Sequence, residues 1–366
     1  MNFIFKFNSI YDCNKKLNKE MIFMDKIKLL IFYLIILIIS NEEKNISKQL
    51  TKNNSPKISI FLPIYNKGNY LQRSIGSLQS QTLKEIEIIS INDGSTDNSL
   101  NILKEMAKKD PRISIVNNDK NRGLLFSRGM GILNSKGEYI MCLDPDDQLS
   151  GPNILRFLYN KAKKLNVDII FFKLLKIPRS DKINNIIIFN KIINQPELFH
   201  NAFDKDGFLY DCIITNKLVK NKLFKDAFKI FKSYIYADKW NYHEDNIWSI
   251  IMHKYANSSL FLNRIVYIYY SNKDSLMENS ANILEMKNLL YRHEMFKTIL
   301  TNKREKKFLM AELSQLLFVF NQNINIIKHN KEIKKLFIIK MEEFKKKYQI
   351  PKILLRQITL IIHKIS

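Results

Sequence analysis

The chain has 366 residues and a formal net charge of +24, from 59 Lys and Arg against 35 Asp and Glu. Hydrophobic residues make up 46%, enough for a large α/β core with an appended region, while three cysteines, Cys13, Cys142 and Cys212, are too few and too scattered for a disulfide framework or a zinc knuckle. The basic balance calls for an anionic partner such as a nucleotide diphosphate or a phospholipid surface; dispersed lysines without a zinc-finger, RNA-recognition or helix-turn-helix signature argue against nucleic acid.

Residues 1–23 read as an N-terminal extension. Residues 24–40 join a basic front, Lys26 and Lys28, to the uncharged run Leu29 to Ile39, with a polar tail from Ser40. Such a run is short of the ~20 residues of a comfortable membrane span. It fits the ~7–15 residues of a signal-peptide core, or a short anchor. The expectation is membrane association and entry into the secretory pathway (ER or Golgi), with the following domain lumenal; basic C-terminal helices docked on a cytoplasmic membrane face are the alternative. Residues 41–56 form a polar linker, with the sequons Asn45-Ile46-Ser47 and Asn53-Asn54-Ser55.

From Lys57 the pattern alternates. Ile58 to Leu62 is a strand broken by Pro63, and a helix follows with Leu71, Ile75 and Leu78 on one face. Ile86 to Ile91 is the second strand and leads through Asn92 to Asp97 into a helix bearing Leu100, Leu103 and Ala107. Ile113 to Val116 is the third, ahead of a helix from about Gly123 to Asn134. Tyr139 to Leu143 is the fourth, followed by a helix near 153–164 and a strand from Val167 to Phe172. This rhythm predicts a doubly wound, mostly parallel sheet with helices on both faces and ligands at the carboxyl ends of the strands. Beyond residue 180 the alternation fades: a helical segment starts at Glu244-Asp245, a strand pair surrounds residues 265–270, and residues 281–366 form a basic helical C-terminal region, with Leu336, Ile339 and Phe344 on an apolar face.

Asp144-Pro145-Asp146-Asp147 places three carboxylates where the fourth strand must end. Crowded carboxylates repel, and hard oxygen ligands at the mouth of a buried strand are what Mg²⁺ or Mn²⁺ holding a diphosphate requires. An acidic turn before the next helix is the competing reading of this stretch. Asp93 also falls at a strand end. Glu244 and Asp245 are equally suited to a helix N-terminus, where negative charge is favoured, and to proton transfer.

The blocks "IFLPIYNKGNYL", "SLQSQTL", "EIISINDGSTDNS", "NNDKNRGLLFSRGMGI" and "GEYIMCLDPDD" resemble, in order and spacing, the inverting family 2 glycosyltransferases of the GT-A fold. "NKLVKNKLF", "HEDNIW" and "YIYYSNKDSL" resemble that family's acceptor-side blocks, which extends the likeness over residues 57–280. The resemblance implies transfer of a hexosyl or N-acetylhexosaminyl group from a nucleoside diphosphate sugar, a UDP-sugar, to a hydroxyl of a glycan or lipid-linked acceptor, with Mg²⁺ or Mn²⁺ as cofactor. It assigns Pro63, Tyr65 and Asn66 to the first nucleotide loop, with the ring against the base, and Asp93 to a hydrogen bond with the base. Gly123 and Arg128 fall on the segment supporting the nucleotide, Asp144 and Asp146 on the nucleotide-sugar acids, Asp146 and Asp147 on the metal, and Asp245 on the catalytic base, with Glu244 beside it as the other candidate. Asn92 stands where many members carry a further Asp. A catalytically silent nucleotide- or carbohydrate-binding protein of the same fold is the alternative, although the acids are intact. A nucleotidyltransferase would want a Gly-rich phosphate loop after the first strand, and "PIYNKGNY" lacks it.

Overall fold

The computed structural model describes residues 55–178, 191–195, 213–235, 244–271, 290, 306–347 and 350–365. The expectations for residues 1–54, including the apolar run and both sequon asparagines, lie outside the described residues. The chain divides at Ser55/Pro56, and every described element belongs to Pro56–Ser366.

Nine strands, β1 (Ile58–Ile64), β2 (Ile86–Asn92), β3 (Ile113–Asn117), β4 (Tyr139–Cys142), β5 (Gln148–Leu149), β6 (Ile169–Ile177), β7 (Lys191–Asn194), β8 (Lys217–Lys220) and β9 (Ser258–Tyr270), make one sheet among the described residues. Its order is β3-β2-β1-β4-β8-β6-β9-β5, with β7 paired to β9. The helices are α1 (Gly68–Gln79), α2 (Ser99–Lys109), α3 (Leu124–Asn134), α4 (Ile154–Leu165), α5 (Asn221–Ile235), α6 (Glu244–Tyr255), α7 (Lys306–Gln322), α8 (Ile324–His329), α9 (Lys331–Lys347) and α10 (Lys352–Ile365).

The period-two alternation of the strands decides which layer each side chain joins. In β1, Ile58, Ile60, Leu62 and Ile64 pack on one face with Leu71, Ile75 and Leu78 of α1, Leu103 and Met106 of α2, and Leu155 and Leu158 of α4. Phe61, with Ile89, Ile91, Ile140 and Cys142, packs on the other face against Leu125 of α3, Phe224 of α5, Trp248 of α6 and the buried face of α7 to α10. The result is the three-layer sandwich that the alternation predicts, with helices on both faces.

The sheet is parallel throughout β3, β2, β1 and β4 and changes direction beyond them. There β8 enters antiparallel to both β4 and β6, and β9 is parallel to β6 yet antiparallel to β5 and β7. The sheet is therefore mixed, with most of its paired residues in the parallel ladders, as expected. Three corrections have local causes. β1 continues through Pro63, which pairs with Ile91; past the Phe61–Cys142 pair β1 has lost its β4 neighbour, and the missing N–H costs that ladder little. The strand pair expected at residues 265–270 is the last part of one 13-residue strand, β9. In α9 the buried side chains are Ile333, Phe337, Met341 and Phe344, which leaves Ile339 43% exposed.

Strand order reverses between β1 and β4, and in open α/β sheets the crevice outside the carboxyl ends at that reversal receives ligands. The loops after β1, β2 and β4 all open there. No helix among the described residues is long and apolar enough to cross a membrane.

Candidate active site

The loop after β1 is held by side chains from the loop after β2. Asn66 adopts φ 50°, and its Oδ1 accepts the backbone N–H groups of Thr96 at 2.8 Å and Asp97 at 3.3 Å. Lys67 N–H donates to Ser99 Oγ at 3.0 Å, and Gly68 N–H to Asp97 Oδ2 at 3.0 Å. Pro63 is buried within β1 and Asn66 is spent on loop geometry, while Tyr65, in the loop that opens at the strand reversal, is 43% exposed.

Asp93, only 4% exposed, organises the next loop. Its Oδ1 accepts Asn118 Nδ2 at 2.8 Å and Arg122 N–H at 2.9 Å, and its Oδ2 accepts Gly123 N–H at 2.9 Å. Gly123 caps α3 with φ 96° and ψ 165°, a backbone state that a side chain would strain. Asn92 uses its amide on Asn117 Oδ1 at 2.6 Å. These bonds tie the end of β2 to the loop between β3 and α3.

At the centre is Arg128 of α3, 2% exposed. Its Nη2 donates to Asp144 Oδ1 at 3.2 Å, and its Nη1 donates to both Glu244 Oε1 and Asp245 Oδ1. One guanidinium thus joins the acid at the end of β4 to both acids that open α6. A planar fork of this kind suits several carboxylates at once. Burying it without them would cost several kcal/mol, on the order of the price of any unpaired interior charge.

The two α6 acids are not equivalent. The Glu244 side chain is 5% exposed and burial pushes its carboxyl well up from the ordinary range, with the Asp245 charge adding to the effect and Arg128 opposing it. The Asp245 side chain is 30% exposed, at the same guanidinium. Consecutive helical residues diverge by about 100°, and Asp245 is the more exposed of the two.

The three acids after β4 also separate. Burial pushes Asp144 up to about 6 against the pull of Arg128, with Asp146 and Asp245 raising it further. Asp146 pairs with Lys67 Nζ at 2.8 Å, its carbonyl accepts Arg73 Nη2, and Arg73 stacks on Tyr270 with 3.7 Å from guanidinium to ring centroid. Asp147 is turned inward: it is 1% exposed, its Oδ2 accepts Tyr267 Oη at 2.6 Å, its Oδ1 accepts Tyr270 N–H at 2.8 Å, and burial with the Asp144 charge pushes it up to about 8. The expectation that Asp147 ligates the metal meets a side chain whose two oxygens both accept hydrogen bonds from β9.

Among the described residues no group of three or more His, Cys, Asp or Glu side chains is arranged to hold a metal ion. Asp144 and Asp146 remain as two partly exposed hard-oxygen donors. Mg²⁺ is commonly bound by one or two carboxylates, with substrate phosphates and water completing the shell, so the residues present fit such an ion. The sequence reading missed Lys67, Arg73, Tyr267 and Tyr270. For the tyrosines the one signal was the block "YIYY", whose facing direction depends on strand pairing.

Residues 59–228 match the family model for "Glycosyl transferase family 2". The match is seated on the sheet and loops described above. "Uncharacterized glycosyltransferase EpsJ" of Bacillus subtilis is 30% identical over 229 residues, which cover 61% of this chain and 63% of the relative. "Glycosyltransferase GlyA" of Streptococcus pneumoniae is 29% identical over 227 residues, covering 60% of this chain and 31% of the relative. The chain thus spans less than two thirds of either relative. The crystal structure of S. aureus TarS 1-349 in complex with UDP-GlcNAc shares the fold, with a TM-score of 0.60 at 16% identity over 84% of this chain and 89% of that one.

Proposed function

We propose that this protein is a metal-dependent inverting glycosyltransferase. It moves a hexosyl or N-acetylhexosaminyl group from a UDP-sugar to a hydroxyl of a glycan or lipid-linked acceptor. The observation that carries this reading is the Arg128 bridge, which sets the donor-side acid Asp144 and the partly exposed Asp245 on one guanidinium. In this reading donor binding and proton removal share one crevice at the strand reversal. The match of residues 59–228 to the glycosyl transferase family 2 model and the fold shared with a protein solved in complex with UDP-GlcNAc support the donor class.

In this reading the Tyr65 ring lies against the base, where base–aromatic stacking is worth roughly 1–3 kcal/mol. Asp144 and Asp146 would hold Mg²⁺ or Mn²⁺, which as a Lewis acid supplies neutralisation of the leaving diphosphate. The acceptor oxygen attacks the anomeric carbon from the face opposite the diphosphate, the bond from that carbon to the phosphate oxygen breaks, and Asp245 takes the acceptor's proton. Arg128 orients Asp245 and counters its charge, while buried Glu244 anchors the start of α6.

The test is UDP release against a panel of UDP-sugars and acceptors, with Mn²⁺ or with chelator. Release that needs both acceptor and metal supports the reading; UDP-sugar binding without turnover for any pair would leave a silent binding protein. Localisation rests on the sequence alone: residues 24–40 would direct the chain to membranes, and a freely soluble pool that retains them would contradict that.

A further inference from the structure

Lys67 sits where a cation is needed. Its ammonium is 2.8 Å from Asp146 Oδ2, both side chains are about four-fifths buried (19% and 18% exposed), and the pair joins the β1 loop to the β4 turn across the strand reversal. Everything around the pair is fixed. The Asn66-Lys67-Gly68 backbone N–H groups donate to Ser95, Ser99 and Asp97, the Asn66 side-chain oxygen accepts Thr96 N–H, and the Asp146 carbonyl accepts from Arg73. The four-carbon stem of Lys67 is the part free to turn, and the Tyr70 ring, 5.4 Å from the ammonium, lies beside its path.

We propose that Lys67 is a resident countercation for Asp146, which a divalent cation must displace and which makes metal and nucleoside diphosphate load the site together. The inference rests on the metal-dependent reading above and names how that site is regulated. A metal ion arriving alone competes with an ammonium already seated on one of its two carboxylates. A metal arriving with a diphosphate brings anionic oxygens that give the released ammonium a new partner. Each ligand therefore relieves a cost for the other, which is positive coupling between them and is reciprocal.

The test is calorimetric titration of the full chain with Mn²⁺ alone, and with Mn²⁺ in the presence of UDP, for the native protein, Lys67→Met and Asp146→Asn. Lys67→Met should bind Mn²⁺ alone about tenfold more tightly than the native protein and lose most of the Mn²⁺–UDP coupling. Lys67→Gln, which keeps a polar head without charge, should behave the same way and guards against a packing artefact. Equal Mn²⁺ affinity in native and Lys67→Met protein, with binding lost in Asp146→Asn, would overturn the countercation role while leaving the metal site standing. No Mn²⁺ binding by either protein, even with UDP, would overturn both.

Discussion

Single carboxylates decide the chemistry. If Asp144 and Asp146 hold the metal as proposed, Asp146→Asn should abolish Mn²⁺-dependent UDP binding and transfer, because one of the two carboxylates is neutralised. Asp147→Asn should retain Mn²⁺ binding, since the buried Asp147 oxygens face Tyr267 and Tyr270. Calorimetry on the two variants checks the ranking, and equal loss in both would return Asp147 to the metal shell. The sequence placed three acids at this turn but could not orient them. Their directions depend on distant partners, Arg128 for Asp144, Lys67 for Asp146 and a hydroxyl 120 residues away for Asp147, and nothing local signals them. Asp245 and Glu244 are a similar case: adjacency was legible, and which one is covered depended on how α6 packs beside Arg128.

At the scale of elements, strands and caps each carry a local cause that the sequence exposes to different degrees. β1 and α1 were legible because alternation and a 3-4 spacing are local patterns. The antiparallel half was not: β8 is only four residues long, and the partners of β9 come from three distant strands. Asp110, which ends α2, shows how an element boundary is fixed. Its side chain accepts Arg112 Nε at 2.9 Å and Nη2 at 2.7 Å, and these bonds hold its carboxyl below its ordinary 3.8. A carboxyl lowered by folding contributes stability above its unfolded value, and that contribution is lost as pH falls through the folded value. Asp110→Asn should therefore cost roughly 1–3 kcal/mol near neutral pH. In urea melts at descending pH the gap from the native protein should close below 3.8; a gap that persists in acid would mean that the ion pair is not its source.

In the whole molecule, the sheet and the C-terminal helices share one apolar core. Phe337 of α9 is fully buried and stacks on Phe320 of α7 with centroids 4.5 Å apart, in the same cluster as Phe61 of β1 and Trp248 of α6. Phe337→Ala should cost about 3–5 kcal/mol by transfer and cavity. A single unfolding transition that shifts as a unit is expected in denaturant melts; a separate early transition would show that the helices fold apart from the sheet.

The claim at the centre is that Asp245 takes the acceptor's proton beside a donor held by Asp144 and Asp146. It is tested most directly by comparing donor binding and turnover in Asp245→Asn, where the amide oxygen still accepts from Arg128 and the charge alone is removed. Donor affinity within about twofold of native, with turnover down ~10²–10⁴-fold, is the predicted result. Near-native turnover in Asp245→Asn, or a larger loss in Glu244→Gln, would contradict the assignment.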